Sequence, residues 1–270
     1  MFETLFSIGG FQLKTLSLFQ ALSFLVVAII VWKRSKEENY PETTVFDGYL
    51  LSFLFGLIVG RVGHIIFSWS RFQLDILKWF NFVQYPGVQL LFGLVGAGVY
   101  LYFFAKKQKW DAFEILDWWA QAITLGLVWI NLSFFMAGTR FGNETSLPWG
   151  IVFPGVFEKR HPVQLYFVIF HLVVYKLLNW LDYHYRTFEW YRSGKKTAQT
   201  GFVFSCMVLC YSVFSLLMSL FQPPIFMLGT IVLDHFLYLL LLIFSLIIIL
   251  NRANRSFFSF SQKKFFVVKK

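Results

Sequence analysis

The chain has 270 residues and a formal net charge of +10; 57% of it is hydrophobic, 21% aromatic and only 14% charged, with a mean hydropathy of +0.62. Thirty-six phenylalanines cannot be hidden in one soluble core of this size, so a soluble domain is excluded and an integral membrane protein is expected. The basic excess is then a signal of membrane flanks and anionic headgroups, not a nucleic-acid footprint, and no nucleic-acid partner is expected.

Seven apolar runs follow in chain order: Leu16–Trp32, Tyr49–Phe67, Val88–Phe104, Ala112–Met136, Val163–Leu181, Gly201–Phe221 and Ile225–Leu250. Each is near the ~20 residues that carry a helix across the hydrocarbon core. The last two are separated only by Gln222-Pro223-Pro224, which reads as a tight turn. The first run lacks a basic n-region and a small-residue cleavage site, so no cleavable signal peptide is expected. Cys206 and Cys210 lie four apart in the sixth run, on one helix face, and read as packing residues rather than a disulfide framework.

Orientation follows from the basic residues. Lys33, Arg34 and Lys36 follow the first run; Lys106, Lys107 and Lys109 the third; Arg186, Arg192, Lys195 and Lys196 the fifth; and a basic tail the seventh. The opposite side carries only Lys14, Arg71, Lys78, Arg140, Lys159 and Arg160. The positive-inside rule puts the N-terminus outside and the C-terminus in the cytoplasm. The expectation is an all-α, multi-pass protein of the bacterial plasma (inner) membrane. Residues 1–250 form one seven-helix transmembrane domain, with an outer re-entrant or interfacial loop near 137–160, where Gly and Pro punctuate an apolar stretch. Residues 251–270 form a basic, aromatic cytoplasmic tail.

Polar groups at membrane depth narrow the function. Arg61, between Gly60 and Gly63 in the second run, is an expensive residue to bury and faces either a polar cavity or, by snorkelling, the headgroups. His64 lies one turn further out. In Arg160-His161-Pro162-Val163-Gln164-Leu165-Tyr166, Pro162 suits the first turn of a helix and His161 sits near its N-cap. Helix N-termini attract anions, Arg160 adds charge, and His161 can exchange a proton near neutral pH. A phosphate-bearing headgroup suits such a site; the alternative is a capped helix with interfacial aromatics. Asn131, in the fourth run, suits an interhelical hydrogen bond.

Three stretches carry a family resemblance: GRVGHIIF (60–67), GTRFGNETSLPWGIVFP (138–154) and RHPVQLY (160–166). In order and spacing the chain resembles the bacterial phosphatidylglycerol–prolipoprotein diacylglyceryl transferases over nearly its whole length. The resemblance implies transfer of the diacylglyceryl group of phosphatidylglycerol to the cysteine thiol of a lipoprotein signal peptide, with no cofactor and no metal. A thioether forms and glycerol phosphate leaves, which requires a base to make the thiolate and cations to hold the phosphate. On this reading Arg61 and His161 are the catalytic candidates. Arg61, His64, Arg140, Asn143, Arg160, Gln164 and Tyr166 are the phospholipid-binding candidates, gathered with Thr139 around one outer-facing cavity.

The chain also departs from the family's pattern. Leu91 stands where the family has a histidine, Asn131 for an arginine, Phe134 and Ala137 for asparagines, Thr139 and Phe167 for glutamates, Leu16-Ser17 for a Tyr-Gly pair, and Ser215 and Ser219 for an arginine and a glutamate. The scaffold's glycines, prolines and aromatics remain while charges are lost. Three readings therefore stand: a divergent transferase using Arg61 and His161, with Arg140 or Glu144 as substitutes; a catalytically silent relative that binds phospholipid or signal peptide; and an unrelated multi-span transporter.

Overall fold

The computed structural model describes residues 4–9, 11–82, 84–186 and 198–252. Among them, helices dominate. In chain order they are α1 Thr15–Glu37, α2 Glu42–Phe67, two short helices α3 Trp69–Phe72 and α4 Ile76–Phe80, then α5 Leu90–Lys107, α6 Ala112–Ala137, α7 Val163–Arg186, α8 Phe202–Met218 and α9 Asp234–Arg252. Six of them are long and apolar enough to cross a membrane, and α8 is a shorter apolar helix. Their outward faces are greasy: Ile58, Phe103 and Ile169 are each more than 60% exposed, the reverse of a water-soluble surface and the pattern of an integral membrane protein.

The helices sit where the apolar runs predict, but three features differ. The tight turn expected at 222–224 is a longer connection, residues 219–233, and α9 begins at Asp234 rather than Ile225. Pro223 and Pro224 cannot continue a helix, and Asp234 instead accepts hydrogen bonds from the Ile225 and Phe226 amides, pinning the connection to the first turn of α9. Second, the all-α expectation omitted three two-stranded antiparallel hairpins: β1 Thr4–Ile8 with β2 Phe11–Lys14, β3 Ile151–Val152 with β4 Lys159–Arg160, and β5 Met227–Leu228 with β6 Ile231–Val232. The two-residue strands β3–β6 are too short to show a two-residue alternation, and β1 and β2, with five and four residues, are at its lower limit. Third, the outer segment expected near 137–160 carries regular structure, an arm built on β3–β4 and a bridge between Glu144 and Arg160. The cytoplasmic tail expected at 251–270 lies, from residue 253 on, outside the described residues, as do Arg192, Lys195 and Lys196.

Helix α6 is the hub. It packs against α1, α5, α7 and α8, and half of its apolar stretch is buried, against 17% for α9. Small residues permit the closest crossings. A Cβ on Gly56 of α2 would lie 2.8 Å from the Gly93 carbonyl of α5, so the two backbones touch directly. Ser23 of α1 donates to the Gly126 carbonyl of α6 at 2.9 Å.

The chain ends of the helices sort into two groups. At the basic end, Arg34 reaches Gln121 of α6 (2.7 Å) and Asp182 of α7 (3.0 Å). Asp117 of α6 accepts the Gly201 and Phe204 amides, each at 2.7 Å, and so caps α8 from a neighbouring helix. Thr200 donates to Asp111, and Tyr40 donates to Glu114 while its ring sits edge-on to Trp110 and Trp118. The opposite end holds α3, α4, the arm and the hairpins, with large apolar side chains such as Leu77 and Phe157 fully in the open.

Candidate functional site

At the opposite end, the way α6 stops decides what the site contains. Gly138, at φ 70°, closes the helix: its amide bonds to Phe135 O and the Thr139 amide to Phe134 O, the two bonds of a Schellman motif. Arg140 follows, also in the left-handed region at φ 58°, a conformation unusual for a side chain larger than Asn or Asp. The double reversal returns the Arg140 side chain beneath the helix end, its guanidinium 4.4 Å over the Phe134 ring. The C-terminal end of a helix dipole favours a cation there.

Arg140 borders a chamber of about 370 Å³ enclosed by α2, α5, α6, α7, α8 and α9 and roofed by the loops at 87–89 and 222–226. It makes no hydrogen bond or ion pair with any described residue, and no carboxylate lines the chamber. Burial lowers its pKa and the Tyr211 and Tyr238 hydroxyls oppose that shift; a guanidinium remains a cation at neutral pH in either case. Much of its surface is open because cavities lie on two sides of it, although it is deeply surrounded by protein.

Three other lining residues have a buried polar atom without a partner: His64 Nε2, Gln164 Oε1 and His171 Nε2. Such atoms are rare in folded proteins, because each forfeits its hydration. They cluster beside one unpaired cation, an arrangement suited to a molecule that carries both negative charge and hydrogen-bond donors.

Two apolar cavities open beside the chamber. One, of about 550 Å³, lies between α1, α2, α5 and α6 and shares Arg140 and Phe134 with the chamber. The other, of about 400 Å³, lies between α5, α6, α8 and α9, shares Tyr211, and is lined almost wholly by apolar side chains.

Of the residues nominated from the sequence, His64, Arg140 and Gln164 line this chamber and the rest do not. The expected convergence of Arg61 and His161 on one cavity is therefore corrected. Arg61 is 5% exposed and directs its donors to main-chain carbonyls of the following segment: Trp79 (2.9 Å), Tyr85 (2.7 Å), Gly87 (3.0 Å) and Lys78 (3.2 Å). The Phe82 and Phe72 rings flank it. It neither snorkels nor faces the chamber; it staples the segment around α4 to α2. Gly60 closely faces Val88, just before α5, and Gly63 faces Phe92 of α5.

His161 is buried against Phe221, its Nδ1 3.3 Å from the Tyr166 hydroxyl, which also accepts from Trp149 Nε1 at 2.9 Å. The His161 backbone exchanges hydrogen bonds with Gly142 and Asn143, and the Asn143 amide reaches Phe221 O at 2.7 Å. Arg160 pairs with Glu144 at 3.0 Å and Glu158 at 3.7 Å. His161, Asn143, Arg160 and Tyr166 thus hold the arm against α7 and α8. Gln164 connects the arm to the chamber: its Nε2 donates to Thr139 O at 2.6 Å while its Oε1 stays free. Asn131 lines the chamber and donates to Leu127 O of its own helix, not across helices. Sequence reasoning passed over His171, Tyr211 and Tyr238. A histidine within an apolar span is itself the signal that could have found His171.

Comparison with known proteins agrees with the ordered motifs. The sequence model of the family described as prolipoprotein diacylglyceryl transferase matches residues 3–251. A phosphatidylglycerol–prolipoprotein diacylglyceryl transferase of Clostridium tetani is 26% identical over 220 residues, covering 79% of this chain and 82% of its own length. That of Mannheimia succiniciproducens is 29% identical over 233 residues, covering 83% and 81%. One from Vibrio cholerae reaches 32% over 181 residues, covering 65% and 66%. With its apolar helices, its ordered motifs and a family match across nearly its whole length, the chain belongs to the prolipoprotein diacylglyceryl transferase family.

Proposed function

We propose that this chain transfers the diacylglyceryl group of phosphatidylglycerol to the thiol of a lipobox cysteine, using Arg140 as its phosphate-binding cation. The carrying observation is the unpaired guanidinium between the chamber and the apolar cavity of α1, α2, α5 and α6. An unpaired cation beside an apolar cavity at membrane depth is costly, and a bound phosphate diester would remove that cost. Gln164 and Gln89 also line the chamber and hold the headgroup. The apolar cavity that Arg140 borders takes the donor's acyl chains, and the second takes the apolar stretch of the signal peptide. The relatives' names carry the same donor and acceptor.

The chemistry needs charge stabilisation most at the leaving group. As the C–O bond breaks, the phosphate passes from a singly charged diester towards a doubly charged monoester, and Arg140 offers fork-like donors to the developing charge. No charge has to be moved into place, because the turn after Gly138 already aims the side chain. Arg61 acts at one remove, by fixing the segment at 78–87 whose Gly87 borders the chamber.

The same reading has the chain cross a bacterial plasma membrane seven times, N-terminus outside. Helix α8, with 17 residues, spans ~25 Å, near the lower limit for a crossing. Reporter fusions after Lys109 are expected to be cytoplasmic and those near Glu144 external; the reverse at either point refutes this orientation.

The test is transfer itself. Purified protein in phosphatidylglycerol vesicles is given a lipobox peptide, and the peptide's mass is followed. Wild type gains one diacylglyceryl group. Arg140→Ala slows the step by about 10²–10³, the typical effect of deleting one oxyanion donor. An unaffected Arg140→Ala variant refutes the assignment. Lipid binding without transfer in wild type would favour the silent binder, a reading supported by Leu91 and Phe134 on the chamber wall.

A further inference from the structure

We propose that His171, on α7, is the proton acceptor that generates the nucleophilic thiolate; the inference rests on the transferase reading above. His171 is 3% exposed, and its ring forms part of the chamber wall that Arg140 also borders. Its Nδ1 lies 2.6 Å from the Phe167 carbonyl. A carbonyl only accepts, so Nδ1 carries the hydrogen and, in the neutral ring, Nε2 keeps a bare lone pair. That Nε2 is buried and has no partner. The ring cannot turn to find one, because Phe167 stacks on it at 5.9 Å, Phe170 meets it edge-on at 5.0 Å, and Tyr211 of α8 closes the far side at 6.3 Å. The tautomer and the direction of the lone pair are therefore set by α7 itself.

The competing groups in the chamber are poorer acceptors. His64 also has an unpartnered Nε2, but that atom abuts Gly87 so closely that a side chain there would collide with it. Tyr211 and Tyr238 are phenols and hold their protons at neutral pH. Arg140 has no lone pair to offer. These are the titratable groups that share the chamber with His171, and no carboxylate among the described residues joins them.

The step balances without any further reactant. The acceptor's S–H proton passes to His171 Nε2. The sulfur's electron pair forms the C–S bond to the glyceryl CH₂, and the C–O bond breaks with its pair going to the phosphate oxygen held by Arg140. The proton then leaves His171 for the departing glycerol phosphate or for water. Base and phosphate cation thus come from two different segments, α7 and the turn after α6, that line one chamber.

The test uses the full chain in phosphatidylglycerol vesicles with a lipobox peptide, comparing wild type, His171→Asn and His171→Gln across about pH 6–9. Both variants are expected to retain phosphatidylglycerol and to lose about 10²–10⁴ in transfer rate near neutral pH, the usual contribution of a general base. Their rate should then climb about tenfold per pH unit towards the thiol's own pKa near 8.5, as hydroxide does the work, while wild type changes far less. Such a climb is not the mark of a merely structural histidine. Variants that transfer at the wild-type rate overturn the inference, as do variants that retain lipid but show no recovery at high pH. Loss of lipid retention in both variants also overturns it, because His171 would then be a binding or packing residue. Wild-type protein that retains lipid yet never modifies the peptide overturns the transferase reading itself, and this inference with it.

Discussion

The two ends of the helix bundle treat charge in opposite ways. At the basic end, ionic groups meet partners: half-buried Arg34 with Asp182 and Gln121, buried Asp117 with two amides of α8, and exposed Asp111 with Thr200 and its own helix start. At the other end, Arg61 is likewise satisfied, by carbonyls. Only a few residues further into that end, Arg140, His64, Gln164 and His171 converge with donors or lone pairs unused. The contrast separates polar groups that hold the fold from polar groups that wait for a ligand. The first kind stabilises the empty protein. The second kind costs stability until something is bound.

Arg61 and Arg140 make the sharpest version of this comparison: both are arginines close to the same chamber, with opposite roles. Arg61→Ala would leave the carbonyls of Lys78, Trp79, Tyr85 and Gly87 without their donor. At roughly 1–3 kcal/mol for each buried group, with water rescuing some, a loss of about 4 kcal/mol is expected. Thermal unfolding in detergent would check it, and an unchanged midpoint would break the comparison at its strongest point. Arg61→Lys should restore little, since one ammonium cannot meet carbonyls on several sides of a planar fork.

Asp117→Asn is expected to cost about 2 kcal/mol, because hydrogen bonds to a charged acceptor contribute roughly 1.5–3 kcal/mol and the amide keeps one acceptor oxygen. The loss should localise to α8, so hydrogen exchange at the first turn of α8 is the fitting measurement. Accelerated exchange elsewhere, with that turn unaffected, would contradict it.

Arg140→Leu is expected to have the smallest effect on the empty protein, close to zero, since the cation it removes has no hydrogen bond or ion pair with any described residue to lose. In the presence of phosphatidylglycerol the two should separate: wild type gains stability from the lipid and the variant does not. If Arg140→Leu destabilises the empty protein as much as Arg61→Ala, then Arg140 is a structural residue, and the distinction between the two arginines collapses.

Several parts of the fold were legible because they depend on local composition. Apolar length located α1, α2, α5, α6 and α7, and Gly138 marked the end of α6. The boundary of α9 was not legible: Ile225 to Leu233 is as apolar as the helix that follows, and only the Asp234 carboxylate turning back on the Ile225 and Phe226 amides separates them. In the site, Gln164, His64 and Arg140, all nominated from the sequence, line one chamber, since α2, the end of α6 and the start of α7 come to the same end. Arg61 was misjudged because its partners come from residues 78–87, a segment whose fold has no clear periodicity.

The sequence by itself determined the class of protein, the positions of its apolar helices and, through the order of GRVGHIIF, the arm and RHPVQLY, its family. These follow from side-chain chemistry counted along the chain. Only the tertiary structure decided which polar side chains are already satisfied. A hydrogen-bonding group is spent or free according to what packs beside it, and those neighbours lie tens of residues away: the carbonyls that claim Arg61, and the Tyr211 ring that closes over His171 while its Nε2 stays unpartnered.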